Sequence, residues 1–291
     1  MKFLILGGSG YLGSKVIDKL TEDGHTIVTT RRDNSDISRV HSHDVIWIPA
    51  KTEAVKTAMS CQTFDWVLNM VCNYGKNHTQ YNDCIEANLQ FPLEILDLAR
   101  EFKIPNYLTI GTGLPSRFNM YTMTKEMFSE FGKFYAQKHG INFLSVQLEM
   151  FYGADEPKDR FLPAIIQKCR NNEDVKVTIG TQHRDIIAIQ DVIDAILFII
   201  NIAPKGYNEI PLGVGEAPSM REIVEFIHHT TNSKSKVYFG AIPMRENEPD
   251  CVADVSKLKK MGFSCKWSWK TGLQKMIQEI DEVNKKEITK E

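Results

Sequence analysis

The sequence lacks the long apolar run that a membrane-spanning helix requires. No stretch approaches the roughly 20 apolar residues of such a helix, and AILFII near residue 200 is short and follows Asp191 and Asp194. The N-terminal MKFLILGGSG passes from a short apolar run directly into glycines, without a small-residue cleavage pattern. This start predicts a buried strand and not a signal peptide. We therefore expect a protein that is neither exported nor inserted in a membrane.

The sequence also lacks an excess of positive charge, and it has no pattern typical of a metal-binding site. The formal net charge is -2 at pH 7, so no overall positive field favours nucleic acid or an anionic membrane surface. The six cysteines are widely spaced without a CxxC pair, and the eight histidines lack partners at zinc-ligand spacing. We expect reduced thiols, a cytoplasmic location, no metal and no nucleic-acid partner.

The first half of the chain contains a regular alternation of strand-like and helix-like segments. Short apolar or β-branched runs alternate with amphipathic runs at helical spacing, which is typical of a parallel sheet covered by helices on both faces. The predicted strands are Lys2–Leu6, His25–Thr30, Val45–Ile48, Trp66–Val71, Tyr107–Ile110 and Asn142–Leu148, and the predicted helices are Tyr11–Glu22, Asp83–Phe102 (kinked or divided by Pro92) and Tyr121–His139.

This alternation predicts an α/β fold with a doubly wound parallel sheet (a Rossmann fold) and a smaller C-terminal lobe. We expect residues 1–150 to form the dinucleotide-binding domain. The pattern loosens afterwards, so residues 151–291 are expected to form mainly the substrate-binding lobe. A segment at about 178–203 is expected to return to the first domain.

A glycine-rich turn follows the first predicted strand. GGSGYLG places Gly7, Gly10 and Gly13 between that strand and the first helix. Glycines allow a tight turn and a close approach to a pyrophosphate, whose charge the helix N-terminus favours. The alternative is a plain glycine turn, but the strand, spacing and helix together favour dinucleotide binding. The predicted contacts are Gly7, Ser9, Gly10, Tyr11, Leu12 and Gly13.

The end of the second predicted strand bears on the type of dinucleotide. An acidic residue there accepts hydrogen bonds from a free ribose hydroxyl, whereas this chain has Thr30 followed by Arg31 and Arg32. Guanidinium groups suit the 2′-phosphate of NADP. The two arginines are alternatively surface charges, and Asp33 follows them. We favour NADP over NAD.

The stretch FNMYTMTKEMF places Tyr121 four residues before Lys125 on a predicted helix. Residues four apart lie on one helix face, so the phenol and the ammonium can point into one cleft. The pair alone does not distinguish a catalytic phenol from two solvated side chains. Context elsewhere in the chain has to decide.

That context is a resemblance that covers nearly the whole chain. With Gly7, Gly10 and Gly13 followed by Tyr121 and Lys125, the sequence resembles the extended short-chain dehydrogenase/reductase family, in its branch of nucleotide-sugar epimerases, dehydratases and 4-ketoreductases. GTQHRDIIAIQDV at 180–192 and LEMFYG at 148–153 resemble elements of that branch. CNYGKN at 72–77 and TGLP at 112–115 are similar to the reductases that make CDP-linked dideoxy sugars.

The resemblance implies roles for the pair. Tyr121 gives a proton to a carbonyl oxygen as hydride arrives at carbon, and Lys125 bonds the nicotinamide ribose. A cation beside the phenol lowers its pKa, so we expect the pKa of Tyr121 to lie below the ordinary value of about 10. A Ser or Thr bonds the same oxygen in this family. We choose Thr112, with Thr109 and Ser116 as alternatives.

The resemblance also implies the remaining contacts. Val71 and Cys72 are expected near the cofactor, and Asn73 and Tyr74 near the substrate. Arg184 and Arg245 are expected to clamp a nucleotide diphosphate, since arginine forks suit phosphate oxygens, although both are alternatively surface ion pairs. Phe161 and Leu162 line a nucleotide-base pocket or belong to the core.

Three functions remain in view. The first is NADPH-dependent reduction of the 4-keto group of a nucleotide-linked 6-deoxy sugar. The second is epimerisation of a nucleotide sugar with retained NAD(P), and the third is a non-catalytic NADP-binding sensor. Gly113 and Leu114 follow Thr112 where the family's dehydratases have Asp-Glu, so elimination of water is not expected. The resemblance further implies a homodimer, joined through the helix that carries Tyr121.

Overall fold

A seven-stranded sheet is the largest sheet of the computed structural model. The structure describes residues 1–75 and 80–288, with side chains described to residue 283. The strand order is β10-β6-β5-β4-β1-β2-β3, and the pairings from β3 to β6 are parallel. The strands are β1 (Lys2–Leu6), β2 (Thr26–Arg31), β3 (Val45–Pro49), β4 (Trp66–Asn69), β5 (Asn106–Ile110), β6 (Asn142–Leu148) and β10 (Tyr207–Leu212). The predicted doubly wound α/β fold is confirmed.

Helices connect these parallel strands, as a parallel sheet requires. They are α1 (Tyr11–Glu22), α2 (Thr52–Cys61), α3 (Tyr81–Ile85), α4 (Phe91–Glu101) and α5 (Met120–His139). The sequence pattern missed α2. This helix buries only Val55 and Met59, so its apolar stripe is too short to give a clear helical period.

The predicted helix Asp83–Phe102 is divided. A π-helical turn, Glu86–Gln90, separates α3 from α4, and Pro92 lies in the first turn of α4. Pro92 has no N–H to give the carbonyl of Asn88, four residues earlier, so an unbroken α-helical ladder is impossible here. A π turn is a common solution to such a break.

Helix α5 lies unusually close to strand β6. A Cβ atom placed on Gly132 of α5 would lie 2.2 Å from the ring of Phe143 on β6. Glycine within a helix costs about 1 kcal/mol relative to alanine. Here the missing side chain permits a close approach to Phe143, whose ring stacks on Tyr107 and meets Phe128 edge-on.

The chain divides into two compact units. Unit 1 contains Met1–Gln147 and Ile196–Ile210, and unit 2 contains Leu148–Ala195 and Pro211–Glu291. The remaining elements are β7 (Met150–Tyr152), α6 (Phe161–Arg170), β8 (Val175–Val177), β9 (Ile186–Ala188), α7 (Ile189–Ile202), α8 (Met220–Thr230), β11 (Val237–Phe239), α9 (Ser256–Met261) and α10 (Trp269–Ile288). The assignment of cofactor binding to the N-terminal domain and substrate binding to the rest stays a prediction.

Unit 2 has its own core, built on two small parallel sheets, β7-β9 and β8-β11. Helices α6, α8 and α10 pack their apolar faces against these strands. Across residues 1–75 and 80–288, no helix combines the length and apolar character needed to cross a membrane.

Candidate active site

The glycine turn lies between β1 and α1, at the carboxyl end of β1, where the strand order reverses: the chain continues to β2 and β3 on one side of β1 and then crosses to β4 on the other. Gly7 has φ 81°, a left-handed conformation that favours glycine. A Cβ on Gly13 would lie 2.4 Å from the Gly7 carbonyl oxygen, so a side chain there would force the turn apart. Ligands of doubly wound sheets bind where the strand order reverses. The contacts between this turn and a dinucleotide therefore agree with the fold and stay a prediction.

The three residues predicted to select the cofactor differ in their surroundings. Thr30 is buried, and its hydroxyl accepts a hydrogen bond of 3.1 Å from the Gly7 amide, so it braces the glycine turn. Arg31 ends β2, and both Arg31 and Arg32 are exposed. Among the described residues neither guanidinium has a salt-bridge partner, which leaves both available to an anionic ligand.

Tyr121 and Lys125 begin helix α5 and point inward. Asn119 caps the helix in a reciprocal capping box with Thr122, which fixes where the first turn starts. Tyr121 is 8% exposed and Lys125 only 4% exposed, so the alternative of two solvated side chains does not describe them. The Lys125 ammonium donates hydrogen bonds to the carbonyl oxygens of Val71 (2.8 Å) and Ile110 (2.9 Å).

The Tyr121 hydroxyl has close polar neighbours. It hydrogen-bonds the side chains of Thr112 and Cys72, and the Tyr74 ring lies 5.1 Å from its own ring. Burial raises the pKa of Tyr121 well above the ordinary value of about 10, Cys72 and Tyr74 act in the same direction, and only the bond to Thr112 lowers it. The expectation of a pKa below 10 is therefore wrong for this structure, in which the Lys125 ammonium is held by backbone carbonyls.

Lys125 is itself perturbed by its surroundings. Burial lowers its pKa from the ordinary value, while the nearby Cys72 thiol raises it. Within the described part of the chain, its hydrogen-bond acceptors are two main-chain carbonyl oxygens and no carboxylate. Cys72, which perturbs the pKa of both Tyr121 and Lys125, is itself exposed.

The three candidates for the third residue occupy different places. Thr109 is buried within β5 and its hydroxyl accepts a bond of 3.1 Å from the Asn69 amide. Ser116 is exposed. Of the three, the Thr112 side chain hydrogen-bonds the Tyr121 hydroxyl, which favours our choice of Thr112, though its catalytic role stays a prediction.

Sequence reasoning missed two amides that support these residues. The Gln147 carbonyl oxygen accepts a bond of 3.0 Å from the Thr112 amide, and the buried Asn88 side chain bonds the main chain of Asn73. Neither amide has a signal in the sequence, because its partner lies at least 15 residues away along the chain. Lys76 and Asn77, part of the CNYGKN resemblance, lie outside the described residues.

Arg184, predicted to bind a diphosphate, lies in unit 2 and has resident partners. Its guanidinium forms a salt bridge with Glu248 and donates hydrogen bonds to the carbonyls of Pro249 and His183, the latter at 2.9 Å. These contacts use three of its five N–H groups. Arg245 is exposed in the segment before Glu248. For both arginines the diphosphate role stays a prediction.

Phe161 and Leu162 have different surroundings at the start of α6. Leu162 is buried in the core of unit 2. Phe161 is half-buried and lines a small cavity in unit 2 with Gly180, Gln182 and Phe239. Of these two residues, Phe161 alone retains exposed surface that a ligand can contact.

Comparisons with known proteins agree with this geometry. The sequence model of the NAD dependent epimerase/dehydratase family matches residues 3–210. The chain is 26% identical to the CDP-abequose synthase of Salmonella muenchen over 285 residues, which cover 95% of this chain and 97% of that protein. It is 29% identical to the CDP-abequose synthase of Salmonella typhimurium over 297 residues, with the same two coverages of 95% and 97%.

Solved structures share the fold. The UDP-glucose 4-epimerase of Thermotoga maritima, crystallised with UDP-glucose, matches with a TM-score of 0.88 at 18% identity, covering 98% of this chain and 100% of that chain. The UDP-glucose 4-epimerase of Thermus thermophilus, in complex with NAD, matches with a TM-score of 0.84 at 17% identity, covering 97% of this chain and 99% of that chain.

The raised pKa of Tyr121 gives a direct prediction. In a difference titration of phenolate absorbance against Tyr121→Phe, Tyr121 should ionise only above about pH 10, because burial disfavours the phenolate. Thr112→Val removes the one bond that lowers this pKa, so its titration should move to still higher pH. A component that titrates below pH 10 and disappears in Tyr121→Phe would restore the view that Lys125 tunes the phenol.

Proposed function

The chain belongs to the NAD dependent epimerase/dehydratase family, and on that premise we propose that it reduces the 4-keto group of a nucleotide-linked 6-deoxy sugar with NADPH. Membership makes it an enzyme of the extended short-chain dehydrogenase/reductase type with a nicotinamide cofactor. The observation that carries the proposal is the buried Tyr121 hydroxyl, whose pKa is raised and which hydrogen-bonds Thr112.

The proposed step balances as a carbonyl reduction. A nicotinamide cofactor held at the glycine turn would supply the hydride for the carbonyl carbon, and Tyr121 would supply the proton to the oxygen. A reductase begins its step with a protonated Tyr121, and burial keeps this phenol protonated at neutral pH. An epimerase begins with proton removal, for which a phenol of raised pKa is the poorer base. We infer that Thr112, which neighbours the Tyr121 hydroxyl, bonds the same substrate oxygen.

The substrate class rests on the relatives. Those named CDP-abequose synthase align over nearly the full length of both chains, which supports a nucleotide-linked sugar and favours a cytidine nucleotide. Gly113 and Leu114 follow Thr112 in this chain, so an acid pair for removing water is missing from that position. A nucleotide-sugar epimerase remains the second candidate, since the solved neighbours include epimerases.

Within this proposal the cofactor is NADP and the compartment is the cytoplasm. Arg31 and Arg32 are exposed at the end of β2, where charge-assisted bonds to a 2′-phosphate are available. The neighbour from Thermus thermophilus contains NAD, so the preference for NADP depends on these two residues of this chain. The non-catalytic sensor is the weakest candidate, because a sensor has no need of a buried proton donor.

Incubation with NADPH and a panel of CDP-, dTDP-, GDP- and UDP-linked 4-keto-6-deoxy sugars tests the function. A reductase oxidises one NADPH for each sugar that it reduces, so the absorbance of the reduced nicotinamide falls. An epimerase causes no net loss of NADPH. Tyr121→Phe should keep NADPH affinity and lose turnover by about a hundred- to ten-thousand-fold. Lys125→Met should lose both turnover and cofactor affinity. Turnover near the wild-type rate in Tyr121→Phe would mean that another group delivers the proton.

The cofactor preference has its own test. Replacing both Arg31 and Arg32 with Ala should weaken NADPH binding far more than NADH binding, because only NADPH carries the 2′-phosphate. Titrations of the two cofactors by calorimetry measure this difference. Lys138→Ala, which removes an exposed cation in the last turn of α5, serves as the control. Equal losses for both cofactors would contradict the assignment.

We also propose that the protein is a homodimer joined through α5. Met123, Met127, Phe131 and Phe134 are 38%, 44%, 39% and 51% exposed along this helix. They line an open groove of about 830 Å³ whose walls are mostly apolar. Apolar patches of this kind mark interaction sites on soluble proteins, and a second copy of α5 presents a matching apolar face.

A charge placed within this patch should separate the dimer. Met127→Glu combined with Phe131→Glu is expected to give a monomer in sedimentation or light-scattering measurements, because two like charges meet at a two-fold axis. Ile46→Glu on β3, at a residue 53% exposed outside the patch, should leave the mass unchanged. A wild-type protein that is monomeric at micromolar concentration would rule out this interface.

A further inference from the structure

Two cysteines adjoin the Val71–Gly75 segment, which follows β4 and has neither helix nor strand structure of its own. Cys72 belongs to the segment and is exposed, whereas Cys84 lies on α3 and is 1% exposed. Both side chains are thiols, and both belong to unit 1. One thiol is therefore accessible from solvent and the other is shielded from it.

The main chain of the segment packs directly against the Cys84 sulfur. The Cys84 thiol donates a hydrogen bond of 3.9 Å to the carbonyl of Asn73, the residue next to Cys72. A Cβ atom placed on Gly75 would lie 3.2 Å from the same sulfur. Cys72 also raises the pKa of the Cys84 thiol, after the larger effects of burial and Asp83, because a second thiolate close by opposes ionisation. The two thiols are thus near neighbours.

Cys72 contacts the candidate active site at the same time. Its side chain hydrogen-bonds the Tyr121 hydroxyl, and it raises the pKa of the buried Lys125 ammonium. A cation beside a thiol favours the thiolate, which is the form that reacts with oxidants. Cys72 therefore combines solvent access, a neighbouring positive charge and a second thiol in the adjoining helix.

We propose that Cys72 and Cys84 are a redox-active pair, in which oxidation by a peroxide joins the two sulfurs in a disulfide and withdraws Cys72 from the Tyr121 hydroxyl. A disulfide requires α-carbons about 4.4 to 6.8 Å apart, so the segment closes further over α3 as the bond forms. Disulfides of this kind in a reducing compartment are transient and respond to oxidants, which agrees with thiols as the resting state.

The proposed oxidation balances in two steps. The Cys72 thiolate attacks one peroxide oxygen, so an S–O bond forms, the O–O bond breaks, and the departing hydroxide takes up a proton to leave as water. The Cys84 sulfur then attacks the Cys72 sulfur, an S–S bond forms, and the second hydroxide leaves as water with the Cys84 proton. Two thiols lose two electrons in total, and one hydrogen peroxide becomes two molecules of water.

The disulfide has a consequence for the neighbouring ammonium group. The Val71 carbonyl, which accepts a bond of 2.8 Å from Lys125, belongs to the residue directly before Cys72. Drawing Cys72 towards α3 moves this carbonyl away from Lys125, while the Tyr121 hydroxyl loses its contact with the thiol. Oxidation is therefore expected to disturb both members of the Tyr121–Lys125 pair.

Mapping of the cross-link tests the pair without substrate or cofactor. The native, reduced protein is treated with hydrogen peroxide, quenched with an alkylating reagent in denaturant, and digested for mass spectrometry without reduction. Cys61 is exposed and lies almost as far before Cys72 as Cys84 lies after it, so chain closure alone treats them alike. Native protein should join Cys72 to Cys84 about tenfold more often than to Cys61, because the fold holds the first two together.

Three further measurements keep the test decisive. Protein oxidised in denaturant should lose the preference for Cys84. Cys61→Ser removes the competing thiol and should keep the cross-link, which dithiothreitol should reverse. Cys84→Ser should stop Cys72 at the sulfenic acid, which dimedone traps, while thermal unfolding checks the fold. Oxidation of Cys72 in native Cys61→Ser protein with Cys84 recovered as an alkylated thiol would overturn the proposal, even if Cys84→Ser does not fold.

Kinetics supply a second arm, which rests on the proposed reductase function. Oxidised wild-type protein should lose turnover by about a hundredfold, the cost of displacing a catalytic group by roughly 1 Å, and should recover it with dithiothreitol. Cys61→Ser should show the same loss and the same recovery. Full turnover in the cross-linked protein would contradict the withdrawal of Cys72 from Tyr121. If no sugar is reduced by the reduced enzyme, the proposed function fails, while the cross-link still decides whether the two thiols form a pair.

Discussion

The burial of one ammonium group constrains the whole candidate site. Lys125 is 4% exposed, and two backbone carbonyls, from Val71 and Ile110, accept its hydrogen bonds. A buried charge is costly unless such partners are held in place. The two carbonyls follow or end neighbouring parallel strands, β4 and β5, so the register of the sheet sets their spacing. These two bonds tie the second turn of α5 to the ends of both strands, and the same part of the helix carries Tyr121 beside Thr112.

Much of this arrangement was predictable from the sequence, because it depends on short-range patterns. β1 and α1 have the predicted bounds, since an apolar run, a glycine turn and a helical period leave little ambiguity. The inward direction of Tyr121 and Lys125 required the resemblance, because residue spacing alone does not say which helix face is buried. Their surroundings were less accessible. The direction of the Tyr121 pKa shift follows from burial, which spacing does not report.

The residues that sequence reasoning missed act through long-range contacts. Asn88 lies 15 residues from Asn73 and 36 from Thr124 along the chain, and nothing in a local pattern relates an amide in a helix to a main chain elsewhere. Arg184 is a similar case, since its partner Glu248 is 64 residues away. A sequence motif identifies the arginine but not the carboxylate that already neutralises it. An anion that binds Arg184 therefore meets a guanidinium whose charge is partly balanced.

Gly132 sets the distance between α5 and β6 at a place remote from Tyr121 and Lys125. Because a single added carbon would strike the Phe143 ring at 2.2 Å, the depth at which α5 is seated on β6 is fixed two to three turns away from Tyr121 and Lys125. Under the proposed function, residues that contact the substrate can then diverge without displacing helix α5. If the Val71–Gly75 segment and unit 2 contact the substrate as proposed, specificity can change there, whereas position 132 tolerates no enlargement. An engineer who alters the substrate range of this protein should vary the former and leave the glycine untouched.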